Sequence, residues 1–239
     1  MQKKITSGLI ALILITVTFS SISCIPHIRG NGKVVKQERN ISGFEEVSVS
    51  TGIGAVINQD SFEKVVVEAD ENILKILKTE VHGGKLEIFL EEGVLHAKQM
   101  KVYVTVKQLR MVEAGSGADV KSLGKISAEK LKLSSSSGSG VKMEVDCNQL
   151  NAESSSGSDM TISGIAKSLK ASSSSGSGLD ASMLTAENGN LSASSGAHLE
   201  AQVTGEVKAD ASSGAGIKIL GNPATRDTNS SSGGSVRFK

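Results

Sequence analysis

The sequence predicts an all-β chain wound as a parallel β-helix, and three observations carry that prediction. A Ser-Gly unit recurs, its glycine falling at 117, 138, 157, 176, 196, 214 and 233, with gaps of 18–21 residues. Residues at odd offsets from that glycine are apolar or small, whereas the offset of two is Asp119, Gly140, Asp159, Gly178, His198, Gly216 and Ser235. Finally, 239 residues include five Phe, one Tyr and no Trp, which excludes a core built on large rings.

The N-terminus reads as an export signal. Lys3 and Lys4 precede the mostly apolar run Leu9–Phe19, which as a helix would rise about 16 Å, roughly half the hydrocarbon core of a bilayer. Ser21-Ile22-Ser23-Cys24 resembles the lipobox of bacterial lipoproteins, in which a small residue precedes the lipidated Cys; Ser21 stands where that box usually carries Leu. Residues 1–23 are therefore expected to be a lipoprotein signal peptide, Cys24 the lipidation site, 24–29 a tether and 30–239 a single domain. The expected partner is a membrane, reached through the anchor. Only Cys147 would remain as a free thiol, so no internal disulfide is expected.

The first third is less regular. Lys64–Ala69, Lys85–Leu90 and Lys101–Val106 alternate as strands, with Val65, Val67, Leu86, Ile88, Val102 and Val104 inward. Asn72–Lys78 suggests a short helical turn, and His82-Gly83-Gly84-Lys85 a hairpin. Thr51-Gly52-Ile53-Gly54 looks like an early copy of the corner unit, 65 residues upstream of Gly117. An antiparallel excursion or cap is expected here, because a solenoid end left bare is an open sheet edge.

From Gly117 onward the register is explicit. Three residues after the shared glycine lie Val120, Val141, Met160, Leu179, Leu199, Ile217 and Val236. Five after it lie Ser122, Met143, Ile162, Ala181, Ala201, Ile219 and Phe238; one after it lie only Ala, Ser or Gly. Flexible Gly/Ser linkers have no reason to keep such a pattern. One repeat suits one rung, and rungs stack about 4.8 Å apart. With two or three early rungs the expectation is about ten, right-handed as parallel crossovers prefer. At the offset of minus two stand Ser136, Ser155, Ser174, Ser194, Ser212 and Ser231, an expected outward ladder of hydroxyls and a possible binding face for an envelope glycan or protein.

At this point a resemblance enters. Arg29-Gly30-Asn31-Gly32, Ile41-Ser42-Gly43-Phe44-Glu45-Glu46-Val47, Thr51-Gly52-Ile53-Gly54, Val65–Leu74 and Gly84–Ile88, followed by the Ser-Gly repeats, resemble the auto-transporter adhesin, head GIN domain family of Bacteroidota envelope lipoproteins. The resemblance spans about residues 30–239 and implies a β-helical, extracytoplasmic domain, with no catalytic residues to carry over. In lipoproteins of this kind acidic residues just after the Cys tend to mark surface export. None follows Cys24 closely, so an outer-membrane lipoprotein on the periplasmic side is preferred over the cell surface.

Signals for chemistry are sparse. There is no Gly-x-Ser-x-Gly nucleophile elbow, and the Ser-x-x-Lys matches are expected by chance in a chain with 37 Ser. Four His are scattered without metal-ligand spacing, so no metal or cofactor is expected. The formal charge of +1 and the missing aromatics set nucleic acid aside. One enzymatic alternative stays open: Asp119 and Asp159 share an outward offset two rungs apart, about 9.6 Å, near the upper end of an inverting glycosidase pair. A polysaccharide hydrolase or lyase using them is the alternative to a non-enzymatic envelope module.

Overall fold

The computed structural model describes residues 27–239; Cys24 and the export signal lie outside them. In chain order the early strands are β1 (His27–Arg29), β2 (Val34–Arg39), β3 (Glu46–Val49), β4 (Gly54–Gln59), β5 (Lys64–Asp70), β6 (Leu77–His82), β7 (Lys85–Leu90), β8 (Gly93–His96), β9 (Met100–Val106) and β10 (Met111–Ala114). Four long strands follow: β11 (Asp119–Ser135), β12 (Gly140–Ser154), β13 (Asp159–Ser173) and β14 (Gly178–Ala193). The chain closes with β15 (His198–Val203), β16 (Glu206–Ala211), β17 (Gly216–Leu220), β18 (Thr225–Ser230) and β19 (Ser235–Phe238). A 3-10 turn covers Ile73–Lys75. The molecule is an all-β solenoid.

Each rung turns at its Ser-Gly unit because both residues adopt positive φ, as at Ser156 (54°) and Gly157 (67°). The Ser158 N–H donates to the Ser155 carbonyl at 3.2 Å, closing a two-residue turn of the kind that reverses strands. A Cβ on Gly157 would meet nothing within 4 Å, so glycine is favoured there by backbone conformation and not by crowding. The corners bond along the axis as well: the N–H groups of Gly138 and Gly157 donate to the carbonyls of Ser156 and Ser175, each at 3.2 Å.

The expected register holds through the middle of the stack. Val120, Val141, Met160, Leu179, Leu199 and Ile217 are buried, as are Met143, Ile162, Ala181, Ala201 and Ile219. Strands β11 to β14 pair in parallel with matching offsets, Leu133 with Ala152 and Ala152 with Ala171. After the post-corner strand the chain bends again. At that second bend Gly164 (φ 112°) passes so close to Val145 that a Cβ would lie 2.0 Å from its carbonyl oxygen. Cys147 is buried between Ala128 and Ala166; burial, helped by the neighbouring Asp146 charge, pushes its thiol up to about 11.

Strands β3 and β4 form a rung around the Thr51-Gly52 corner, and the Gly52 N–H donates to Ser116 at 3.0 Å. The early unit is therefore stacked directly on the first of the later ones. On its opposite side lie β7 and β9, parallel to β3 and β4. The solenoid has about seven turns, fewer than the ten expected. The difference arises because β2, β5 and β6 pair antiparallel and extend the sheet as a cap. Within that cap Val65, Val67, Leu86, Ile88, Val102 and Val104 point inward, and Gly83-Gly84 joins His82 to Lys85 as a hairpin.

Strand β1 lies within the segment expected as a tether and pairs with β8. The following Gly30-Asn31-Gly32 is held by two side chains. Asp70, wholly buried, accepts N–H bonds from Gly32 (3.0 Å), Lys98 (3.2 Å) and Gln99 (3.2 Å). Asn72 donates to the Arg29 carbonyl (2.7 Å) and accepts from the Asn31 N–H (2.9 Å). Burial alone would raise the Asp70 pKa, but the three N–H donors and the Lys98 charge outweigh it and hold it below the usual carboxylate range.

Candidate functional site

Three columns of side chains compete for attention, and the rungs fix the geometry of each. The first is the corner ladder. Ser136, Ser155, Ser174, Ser194 and Ser212 are half-buried and Ser231 is exposed. Each occupies the first position of its turn. Its carbonyl accepts from the residue after the corner glycine, and its N–H donates to the preceding rung, as from Ser155 to Ser135 at 3.0 Å. Backbone bonding thus fixes the ladder, leaving the hydroxyls at the rim of the corner.

Directly beneath lies a second serine set that offset counting had classed only as small. Ser135 and Ser139, Ser154 and Ser158, and Ser173 and Ser177 are buried pairs, with Oγ–Oγ separations of 2.8, 3.0 and 3.0 Å. The Ser158 hydroxyl also reaches the Ser135 carbonyl at 2.8 Å, and that of Ser177 the Ser154 carbonyl at 2.8 Å. Where the serines stop, both members change together: Ala114 with Ala118, Ala193 with Ala197, and Ala211 with Ala215, all buried. This is structure, not site, since buried hydroxyls persist where they are paired.

The second column holds Asp119 and Asp159, exposed on the face just after the corner. Broad grooves of about 460 and 670 Å³ run over this face and meet at Asp159 and Thr161. The carboxylates do not converge. Asp119 lies over Gly140, with Oδ1 2.6 Å from where a Cβ would stand, and Asp159 lies over Gly178 at 2.7 Å. Both lean the same way along the axis, each covering the glycine of the next rung. A glycosidase pair has to face a shared bond from two sides, and this geometry supplies no such focus.

The third column went unnoticed in the sequence, although counting back six from each corner glycine exposes it. Lys132, Asn151, Lys170, Asn190 and Lys208 are register partners in succession on the face before the corner. Beside it, at minus eight, run Lys130, Gln149, Ser168 and Asn188.

Comparison with known proteins fits this architecture. The family described as "putative auto-transporter adhesin, head GIN domain" matches residues 43–223. Similar solved structures include a crystal structure described as a putative adhesin from Bacteroides fragilis, with 18% identity and a TM-score of 0.84, covering 89% of this chain and 100% of that one. Another, described as a putative adhesin from Parabacteroides merdae, shows 18% identity and a TM-score of 0.68, covering 89% and 99%. A third, described as a putative lipid binding protein from Parabacteroides distasonis, shows 16% identity and a TM-score of 0.73, covering 90% and 100%. At these identities the likeness speaks to fold. No curated protein matches. With most of its length matched, the chain belongs to the auto-transporter adhesin, head GIN domain family.

Proposed function

We propose that the protein is a non-enzymatic, lipid-anchored solenoid of the cell envelope that works as an adhesin-type binding module. It would be held at the outer membrane through Cys24 on the periplasmic side, with envelope glycan or protein as partner. The observation that carries this reading is the build of the surface. Outward side chains stand in straight columns on a backbone bonded rung to rung, whereas Asp119 and Asp159 are spent covering glycines. The adhesin descriptions of the family and of the similar structures support it. Fractionation tests the anchor: Cys24→Ala should move the protein from the membrane to the soluble fraction, and a variant that stays membrane-bound through high salt and mild alkali refutes lipid anchoring. Product release from a polysaccharide panel, abolished by Asp119→Asn, would refute the non-enzymatic half.

A further inference from the structure

We infer that the groove along the face before the corner is a binding site for an acidic linear polysaccharide, with Lys130 and Lys170 as its anion contacts. The inference rests on the binding-module reading and names the face and the chemistry. It starts from two shallow grooves of about 340 and 310 Å³, which meet at Ser168 and together follow the solenoid axis. Their walls set Gln149, Asn151, Ser168, Asn188 and Asn190, amides and a hydroxyl, among the apolar Leu131, Leu150 and Val207, and the far end carries the carboxylates of Glu206 and Asp227. The amides and the hydroxyl donate and accept at once, as a chain of sugar hydroxyls requires.

Charge selects an anionic partner at one end. Arg110, Lys130, Lys132 and Lys170 line the first groove. Two of them are already paired, Arg110 with Glu45 at 2.6 Å and Lys132 with Glu153 at 3.2 Å. Lys130 and Lys170, both exposed, have no carboxylate within ion-pair distance among the described residues. They stand two rungs apart by register, Lys130 beside Gln149 and Asn151 beside Lys170. Two unpaired cations so held, about 9.6 Å apart along the axis, suit a polymer that repeats its charge at that interval better than a single small anion.

The column that holds Lys170 reads Lys132, Asn151, Lys170, Asn190, Lys208 and then Asp227, and Lys130 stands two residues to its side on the rung of Lys132. An extended pyranose advances about as far as one rung, so a polymer with an anion on alternate sugars places one at Lys130 and the next at Lys170, two rungs on, with the amides of the intervening rung facing the sugar between. One further atom points to a missing partner. Asn151 Oδ1 is buried in this wall with no hydrogen-bond partner, and an unmet buried acceptor is costly. Nucleic acid fits poorly, because its charges are far denser than this column and no ring lines the groove for base stacking.

Hyaluronan, with one carboxylate per disaccharide, is the probe, and dextran the neutral control. Calorimetric titration of the full chain in detergent at about 0.15 M salt, where long-range attraction is screened, should show hyaluronan binding and no dextran binding. Lys170→Glu and Lys130→Glu should each weaken it at least tenfold with unchanged melting. Lys142→Glu, on the face after the corner, should leave it unaltered. Hyaluronan bound equally by wild type and Lys170→Glu overturns the groove assignment while the module reading stands. No hyaluronan binding at all also overturns it, and the Cys24→Ala fractionation then judges the anchored-module reading separately.

Discussion

The paired serines under the corner are a small hydrogen-bond circuit with a fixed direction. A hydroxyl carries one proton. If Ser158 spends its proton on the Ser135 carbonyl, the proton between Ser154 and Ser158 has to come from Ser154. Removing the Ser158 hydroxyl leaves that of Ser154 only its longer contacts with the Ser158 and Gly178 carbonyls, at 3.2 and 3.1 Å, whereas removing both recreates the Ala/Ala pair found at Ala193 and Ala197. We predict that Ser158→Ala destabilises by about 1 kcal/mol, the net worth of a buried hydrogen bond. The double variant Ser154→Ala, Ser158→Ala should recover part of that loss. Denaturant unfolding measures both, and a double variant weaker than the sum of the two single variants would contradict the paired circuit. These pairs were not legible in the sequence because Ser, Ala and Gly all satisfy the requirement for a small residue beside the corner. Only the coincidence of two serines four residues apart, repeated on three rungs, could have marked them.

At the scale of elements, the cap depends on Asp70. It ends β5 and ties that strand to Gly32 on one side and to Lys98 and Gln99 on the other. No Cβ fits at Gly30, where it would stand 2.0 Å from Asp70 Oδ2, so the backbone is laid across the carboxylate. The pKa of Asp70 is lower folded than its usual value. Its stabilisation is therefore present above about pH 3.9, the unfolded value, and is lost as pH falls through the folded pKa. Asp70→Asn should lower the melting temperature more at pH 6 than at pH 3. A penalty that is equal at both values would show that the charge is not what holds the cap. The strands of this cap were individually readable, since Val65, Val67, Val102 and Val104 alternate. Their pairing was not, because alternation identifies a buried face but not a partner, and β5 could have joined the parallel stack as easily as it crosses β9 and β2 antiparallel.

For the whole molecule, the two ends are finished differently. The cap closes one end with antiparallel strands, whereas the last rung closes the other by changing its inward residues. By register Arg226, Thr228 and Ser230 take the places of Val207, Ala209 and Ala211. All of β18 is exposed, and Arg226 stacks on the Phe238 ring at 4.3 Å while donating to Asn222 Oδ1 at 2.7 Å. Offset counting had placed Phe238 on the inward face, and it is exposed here, as is Thr228, because no further rung among the described residues covers them. An inward-pointing charge on a terminal strand is a known guard against edge pairing. Arg226→Val combined with Thr228→Ala should therefore make the end adhesive and give concentration-dependent oligomers by light scattering. A variant that stays at the wild-type mass would mean the edge is guarded by something other than this charge.

The Gly52 to Ser116 bond also has a bearing on time. Stack order and chain order differ at the base, where the rung of β3 and β4 lies between strands that follow it in the chain, β7 and β9 on one side and β10 and β11 on the other. Its neighbours on one side, β7 and β9, begin 26 and 41 residues beyond the end of β4, and those on the other, β10 and β11, begin 52 and 60 beyond it, so the base assembles through distant contacts, which slows folding. Every later rung needs only the one before it. Folding of this protein is thus a slow start at the base followed by regular growth, in which each new turn lands on a finished template.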